Sequence, residues 1–147
     1  MPVKFDLSSE IRMMSLTSTF YEALDSRDYE QVVSCFAPDG IWWRRGQAVK
    51  GLSAIQEALR SRPENFHTCH IVSNVRVLSL SEDEGAVRFY MTGHPFHGDI
   101  EKGVYEPIPE PHIIALYEDK MKKVNGVWKI SEKKILRTAF KNDMVLP

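Results

Sequence analysis

Apolar residues recur at three- and four-residue spacing from Ser9 to Leu24. Met13, Leu16, Phe20, Ala23 and Leu24 form one stripe, and Met14 and Tyr21 widen it on one flank, which predicts an amphipathic helix. Asp6, Ser8 and Ser9 compete for its N-cap, and Glu10 suits the positive end of the helix dipole. A polar break follows at Asp25-Ser26-Arg27-Asp28. Asp28, with Gln31 three residues on, caps a second, short helix that buries Tyr29, Val32, Val33 and Phe36 and ends at Pro38-Asp39-Gly40. Ile41 to Arg45 reads as a strand closed by Gly46, and Gly51 as a loop residue. Ser53 with Gln56 makes a second capping box, opening a helix through Arg60 that Pro63 terminates.

From there the period switches to two. His70 to Leu80 is a long strand, Ser81 to Gly85 its polar loop, and Ala86 to Gly93 the return. In the return strand Val87, Phe89 and Met91 alternate with Arg88, Tyr90 and Thr92. Residues 95 to 111 hold four prolines and two glycines, which suits a flap or an edge rather than a central strand. His112 to Lys123 and Val127 to Arg137 form a hairpin about Asn125-Gly126, the strongest turn signal in the chain. Residues 138–147 read as a tail or an oligomer contact. The pattern predicts one α+β domain over residues 1–147, its core roughly 8–137. A curved mixed or antiparallel sheet wraps around the N-terminal helices and leaves a conical small-molecule cavity.

Composition narrows the function. The 147 residues carry 19 Lys+Arg against 20 Asp+Glu, a net charge of −1, which argues against a basic nucleic-acid-binding face. There is no basic-then-apolar leader and no run long enough to span a bilayer, so a cytoplasmic, membrane-independent protein is expected. Cys35 and Cys69 share no metal-type spacing and read as reduced, buried thiols. Phosphate-loop, dinucleotide and Gly-x-Ser-x-Gly motifs are absent, so neither nucleotide cofactors nor serine hydrolysis has support.

Histidines supply the remaining chemistry. His67 and His70, and His94 and His97, are three apart, which on a strand places each pair on opposite faces; no metal is expected. Period-two counting puts His97 with Val87, Phe89 and Met91, facing the cavity, and His94 with Arg88 and Tyr90. Gly93 and Pro95 mark a bulge, so both histidines stand as candidates for a second acid or base. Trp42 and Trp43 cannot both face inward. One is cavity wall, suited to stacking on an aromatic ligand, and Tyr90 joins the pocket only if the strand parity is reversed. Arg44-Arg45 reads as a solvated edge.

The runs Tyr21-Glu-Ala-Leu-Asp-Ser-Arg-Asp-Tyr29, Phe36-Ala-Pro-Asp-Gly40, Trp42-Trp43, His70-Ile-Val-Ser-Asn74 and Val124-Asn-Gly-Val-Trp-Lys-Ile130 resemble the SnoaL-like, or polyketide-cyclase-like, branch of the nuclear transport factor 2-like superfamily. Within it the chain is similar to scytalone dehydratase and hexachlorocyclohexane dehydrochlorinase. The resemblance implies a cofactor-free lyase, dehydratase or isomerase in which Asp25 and His70 meet across the cavity, with Tyr21, Trp42 and Trp43 around them. It also implies an apolar cyclic or polycyclic substrate and a homodimer or homotrimer. The two dehydratase tyrosines that handle the substrate carbonyl fall on Leu24 and Trp43, so that contact is not carried over. The alternative is a non-catalytic binding module or a structural subunit like the β-subunit of ring-hydroxylating dioxygenases. An occupied, dry cavity with a hydrogen-bonded Asp25–His70 pair supports the first reading, and a cavity filled by its own side chains, with Asp25 turned to solvent, supports the second.

Overall fold

The computed structural model describes residues 6–79, 81–99, 101–107 and 113–141. Helix α1 spans Leu7–Asp25, with Met13, Thr17, Phe20, Tyr21, Ala23 and Leu24 buried. Of the three cap candidates Asp6 takes the role, accepting the Ser9 backbone N–H at 2.7 Å. The helix gives way to Arg27, whose φ of 62° is costly for a side chain with a Cβ. The Arg27 guanidinium offsets that cost by donating to the carbonyls of Pro63 and Phe66 at 3.0 and 2.8 Å, which ties the end of α1 to the start of a strand. Asp28 then caps α2 (Tyr29–Ser34) by accepting from Gln31 N–H at 3.1 Å.

Pro38-Asp39-Gly40 does not end this helix, as the turn signal suggested. It lies inside β1 (Phe36–Arg44), where the register against the C-terminal strand slips between Phe36 and Ile41. A bulge tolerates proline's missing donor. Gly40 is required there, because a Cβ would stand 2.9 Å from the Ala37 carbonyl oxygen and 3.1 Å from that of Ile130. Strand β1 turns back at once through Arg45 (φ 51°) and Gly46 (φ 75°) into β2 (Gln47–Lys50). Two successive left-handed residues match a tight hairpin, but Arg-Gly is a weak signal for one, and β2 is not legible in the sequence. Helix α3 (Leu52–Arg60) starts from Gly51, at φ 83°, and has no side-chain cap, so the Ser53 capping box does not form.

Strands β3 (Phe66–Ser79), β4 (Glu84–Asp99), β5 (Val104–Pro107), β6 (Ile113–Val124) and β7 (Val127–Lys141) complete the sheet. Its order is β2-β1-β7-β6-β4-β3, with β5 pairing the end of β4. Every pairing is antiparallel except β1–β7, so the sheet is mixed. Pro95 lies inside β4, opposite Thr68 of β3. Strand β7 runs to Lys141, past the expected start of a tail; Leu80, His112 and residues 142–147 lie outside the described residues.

Curvature comes from bulges. Strand β7 slips three times against β6, and β3 slips once against β4 at Asn74, a residue type that tolerates its φ of 52°. The concave face packs on α1: Val87, Phe89, Met91, Ala115 and Met121 are buried against Met13, Phe20 and Leu24. The sheet bends around the helices without filling the space between them, and that space is the cavity. No helix among the described residues is long and apolar enough to cross a membrane.

Candidate active site

The cavity measures about 870 Å³ and is partly open to solvent, within the range of small-molecule sites. Phe20, Leu24, Trp42, Met91 and Ile113 give it apolar walls, and His70 sits in the wall. Asp25 ends α1, and His70 lies near the start of β3. The Arg27 clamp between these two segments is what brings them together.

Asp25 Oδ1 lies 2.5 Å from His70 Nδ1. The same carboxylate accepts the His70 backbone N–H on Oδ2 at 2.7 Å and the Thr68 hydroxyl on Oδ1 at 2.9 Å. Thr68 in turn accepts from Arg62 Nη2 at 3.0 Å. Three donors therefore fix the carboxylate, and the carboxylate fixes the ring. An acceptor at Nδ1 selects the tautomer with its proton there and makes Nε2 the basic nitrogen. The His70 side chain is only 7% exposed and Asp25 23%. Tyr21 packs on the imidazole with ring centroids 5.0 Å apart. Among the described residues its buried hydroxyl has no hydrogen-bond partner. Burial, with Tyr117, Asp119 and Asp25 nearby, pushes that phenol well above its usual range, so it stays a neutral donor.

Beneath His70 and Tyr21 lies a charged pair that sequence reasoning missed. Lys133 Nζ donates to both oxygens of Asp119 at 2.8 and 3.0 Å, and Thr17 donates to Asp119 at 3.0 Å. Both side chains are fully enclosed. The ammonium sits 4.2 Å from the Phe20 ring centroid, 4.5 Å from Tyr21, 5.1 Å from Phe89 and 5.8 Å from Tyr117. Burial pushes Asp119 up and Lys133 down, and each opposes the other's shift. Desolvation first, then Asp119, also raises the Tyr117 phenol.

Trp42 is buried in the wall with Arg44 over its ring at 4.7 Å. Trp43 is 39% exposed; it touches the cavity and donates its indole N–H to Glu132 at 3.0 Å. Tyr90 is not a pocket residue. Its alternation partner Phe89 points inward, so Tyr90 lies on the convex face and accepts from Arg137 at 2.8 Å. Neither His94 nor His97 lines the cavity. His97 keeps the expected parity but lies beyond the mouth, exposed beside the Phe66 ring, because β4 runs on past the cavity. Cys35 is buried, which pushes its thiol up to about 11; Cys69 is exposed rather than buried. Among the described residues no three His, Cys, Asp or Glu are placed to hold a metal.

A SnoaL-like domain model matches residues 6–134. The chain belongs to the SnoaL-like domain family. Its solved neighbours share the fold at low identity. A cystatin-like-fold protein of unknown function from Nostoc punctiforme is 22% identical over 99% of this chain and 98% of its own, with a TM-score of 0.74. A scytalone dehydratase-like protein from Novosphingobium aromaticivorans is 20% identical over 96% and 91%, at 0.77. A ketosteroid isomerase-like protein from Erwinia carotovora is 16% identical over 90% and 99%, at 0.67. No curated protein matches the sequence significantly. For this SnoaL-like chain the fold is thus shared widely, and the chemistry has to be read from its own side chains.

Proposed function

We propose that this protein is a cofactor-free lyase or isomerase that moves a proton at carbon on an apolar cyclic molecule, with His70 as the base and Asp25 as its orienting carboxylate. The observation that carries the reading is the Asp25–His70 hydrogen bond on the wall of an open, largely apolar cavity. A cavity filled by its own side chains would have favoured the binding or structural alternative.

In the proposed step Nε2 takes a proton from a carbon next to a carbonyl, and the C–H electron pair becomes the enolate. Asp25 stabilises the imidazolium that results. The imidazolium then returns the proton to a second carbon, which completes an isomerisation. Alternatively it gives the proton to a β-hydroxyl as the C–O bond breaks, which releases water and leaves a C=C bond. The scytalone dehydratase-like and ketosteroid isomerase-like neighbours are in keeping with these two outcomes.

Exchange of the α-protons of 2-tetralone for deuterium in D2O, followed by NMR, tests the base. The wild-type chain should exceed buffer, and His70→Gln should lose about 10²–10⁴-fold while keeping its melting temperature. Wild-type exchange at the buffer rate across a panel of cyclic ketones, or a His70→Gln rate equal to wild type, overturns the proposal.

A further inference from the structure

The charge on the cavity wall is one-sided. Arg44, Arg45, Arg62, Lys133, Lys134 and Lys141 line it, and among the described residues no aspartate or glutamate does, in a chain whose net charge is −1. Some of these cations are already engaged. Lys133 is held by Asp119, and Lys134 lies 3.6 Å from Glu132. Arg62 donates to the Leu24 carbonyl and the Thr68 hydroxyl.

Arg44 differs. It is half-buried at the end of β1, has its guanidinium carbon over the Trp42 ring at 4.7 Å from the centroid, and donates from Nη1 to the Ala58 carbonyl at 3.0 Å. Among the described residues no carboxylate pairs with it. Burial first, then the charges of Arg62 and Arg45, hold its pKa below the usual arginine value, and the phenols of Tyr29 and Tyr117 oppose that shift. A guanidinium is a planar fork of five donors, and one carbonyl leaves an edge of that fork unmatched. A half-buried cation repelled by its neighbours and set over an indole is arranged to receive an anion from the cavity.

We infer that the ligand of this cavity is an apolar ring system bearing a carboxylate, and that Arg44 receives that carboxylate. A single bidentate fork with one edge available suits a monoanion. Its planar edge matches the two coplanar oxygens of a carboxylate. Strand β1 lies near one end of the sheet order and β3 at the other. Curvature brings Arg44 and His70 to the same cavity. The head group would thus be held on one wall while the ring meets the imidazole on another. The inference rests on the proton-transfer reading only in calling this ligand a substrate.

Calorimetric titration of the purified chain with 2-naphthoate, 2-naphthamide and 2-naphthyl phosphate tests it. The carboxylate should bind about ten- to a hundredfold more tightly than the amide, the range expected for hydrogen bonds to a charged group. That ratio should shrink with added NaCl, as an ionic contact requires. Arg44→Met should bring naphthoate down to the level of the amide, and Arg44→Lys should keep only part of the preference, because it keeps charge without the fork. Equal binding of carboxylate and amide by the wild-type chain overturns the inference without recourse to any variant. So does a preference that survives in folded Arg44→Met. Tighter binding of the phosphate overturns the choice of carboxylate. In His70→Gln the naphthoate preference should persist, so a failed proton-transfer reading and a failed carboxylate site give different results.

Discussion

Asp25 carries more of the site than its place at a helix end suggests. A carboxylate there accepts from three donors at once, two of them from His70 itself. Asp25→Asn keeps the size but replaces an acceptor with an amide that can donate to Nδ1, which favours the wrong imidazole tautomer and removes the charge facing the imidazolium. Exchange of 2-tetralone protons should fall at least about a hundredfold. The double variant with His70→Gln should be little worse than His70→Gln alone, because the two residues act as one unit. Additive losses in the double variant, measured by the same NMR assay, would show that they act separately.

At the scale of elements, the parallel β1–β7 contact joins the two chain regions that shape the cavity mouth. Glu132 sits opposite Ile41 on it, accepting from the Trp43 indole at 3.0 Å, with Lys120 and Lys134 at 3.5 and 3.6 Å. The indole bond first, then the lysine charges, hold its carboxyl below the usual glutamate range. A folded pKa below the unfolded one gives stability that is present above the unfolded value and lost as pH falls through the folded one. Glu132→Gln should therefore be less stable than wild type at pH 7, by about 1 kcal/mol or less. The gap should shrink as pH falls from 7 into the acid range and the lowered Glu132 carboxyl protonates. Urea denaturation at neutral and acid pH reads this directly, and a gap that persists in acid would mean the amide fails for reasons other than charge.

Across the whole molecule, the Lys133–Asp119 pair joins α1, β6 and β7 through Thr17 and a cage of four rings. Removing one partner strands a buried charge. Asp119→Ala should cost about 3–5 kcal/mol. Asp119→Asn combined with Lys133→Met removes both charges and should cost less than Asp119→Ala alone, as buried pairs replaced by neutral groups often do. Urea midpoints of the two proteins decide the point.

Sequence alone determined what depends on neighbours a few residues apart. The stripe on α1, the Asp28 cap, the Asn125-Gly126 turn (φ 51° and 78°) and the inward row Val87, Phe89 and Met91 are local patterns, and the structure keeps them, except that Met14 on the flank of the stripe is exposed. Asp25 and His70 were legible as matched positions of a resemblance; their hydrogen bond needed the Arg27 clamp across 39 residues to Phe66. Tertiary structure decided everything that depends on the phase of a strand after a bulge. Counting by two from Trp128 and Ile130 turns Glu132 inward and Lys133 outward. One extra residue at Ser131 reverses the phase, so Lys133 is buried and Glu132 meets Trp43 on the other face. Arg44 reads as an edge residue for a similar reason: only the curvature of the sheet, produced by those bulges, turns the end of β1 toward α3 and closes a wall around it.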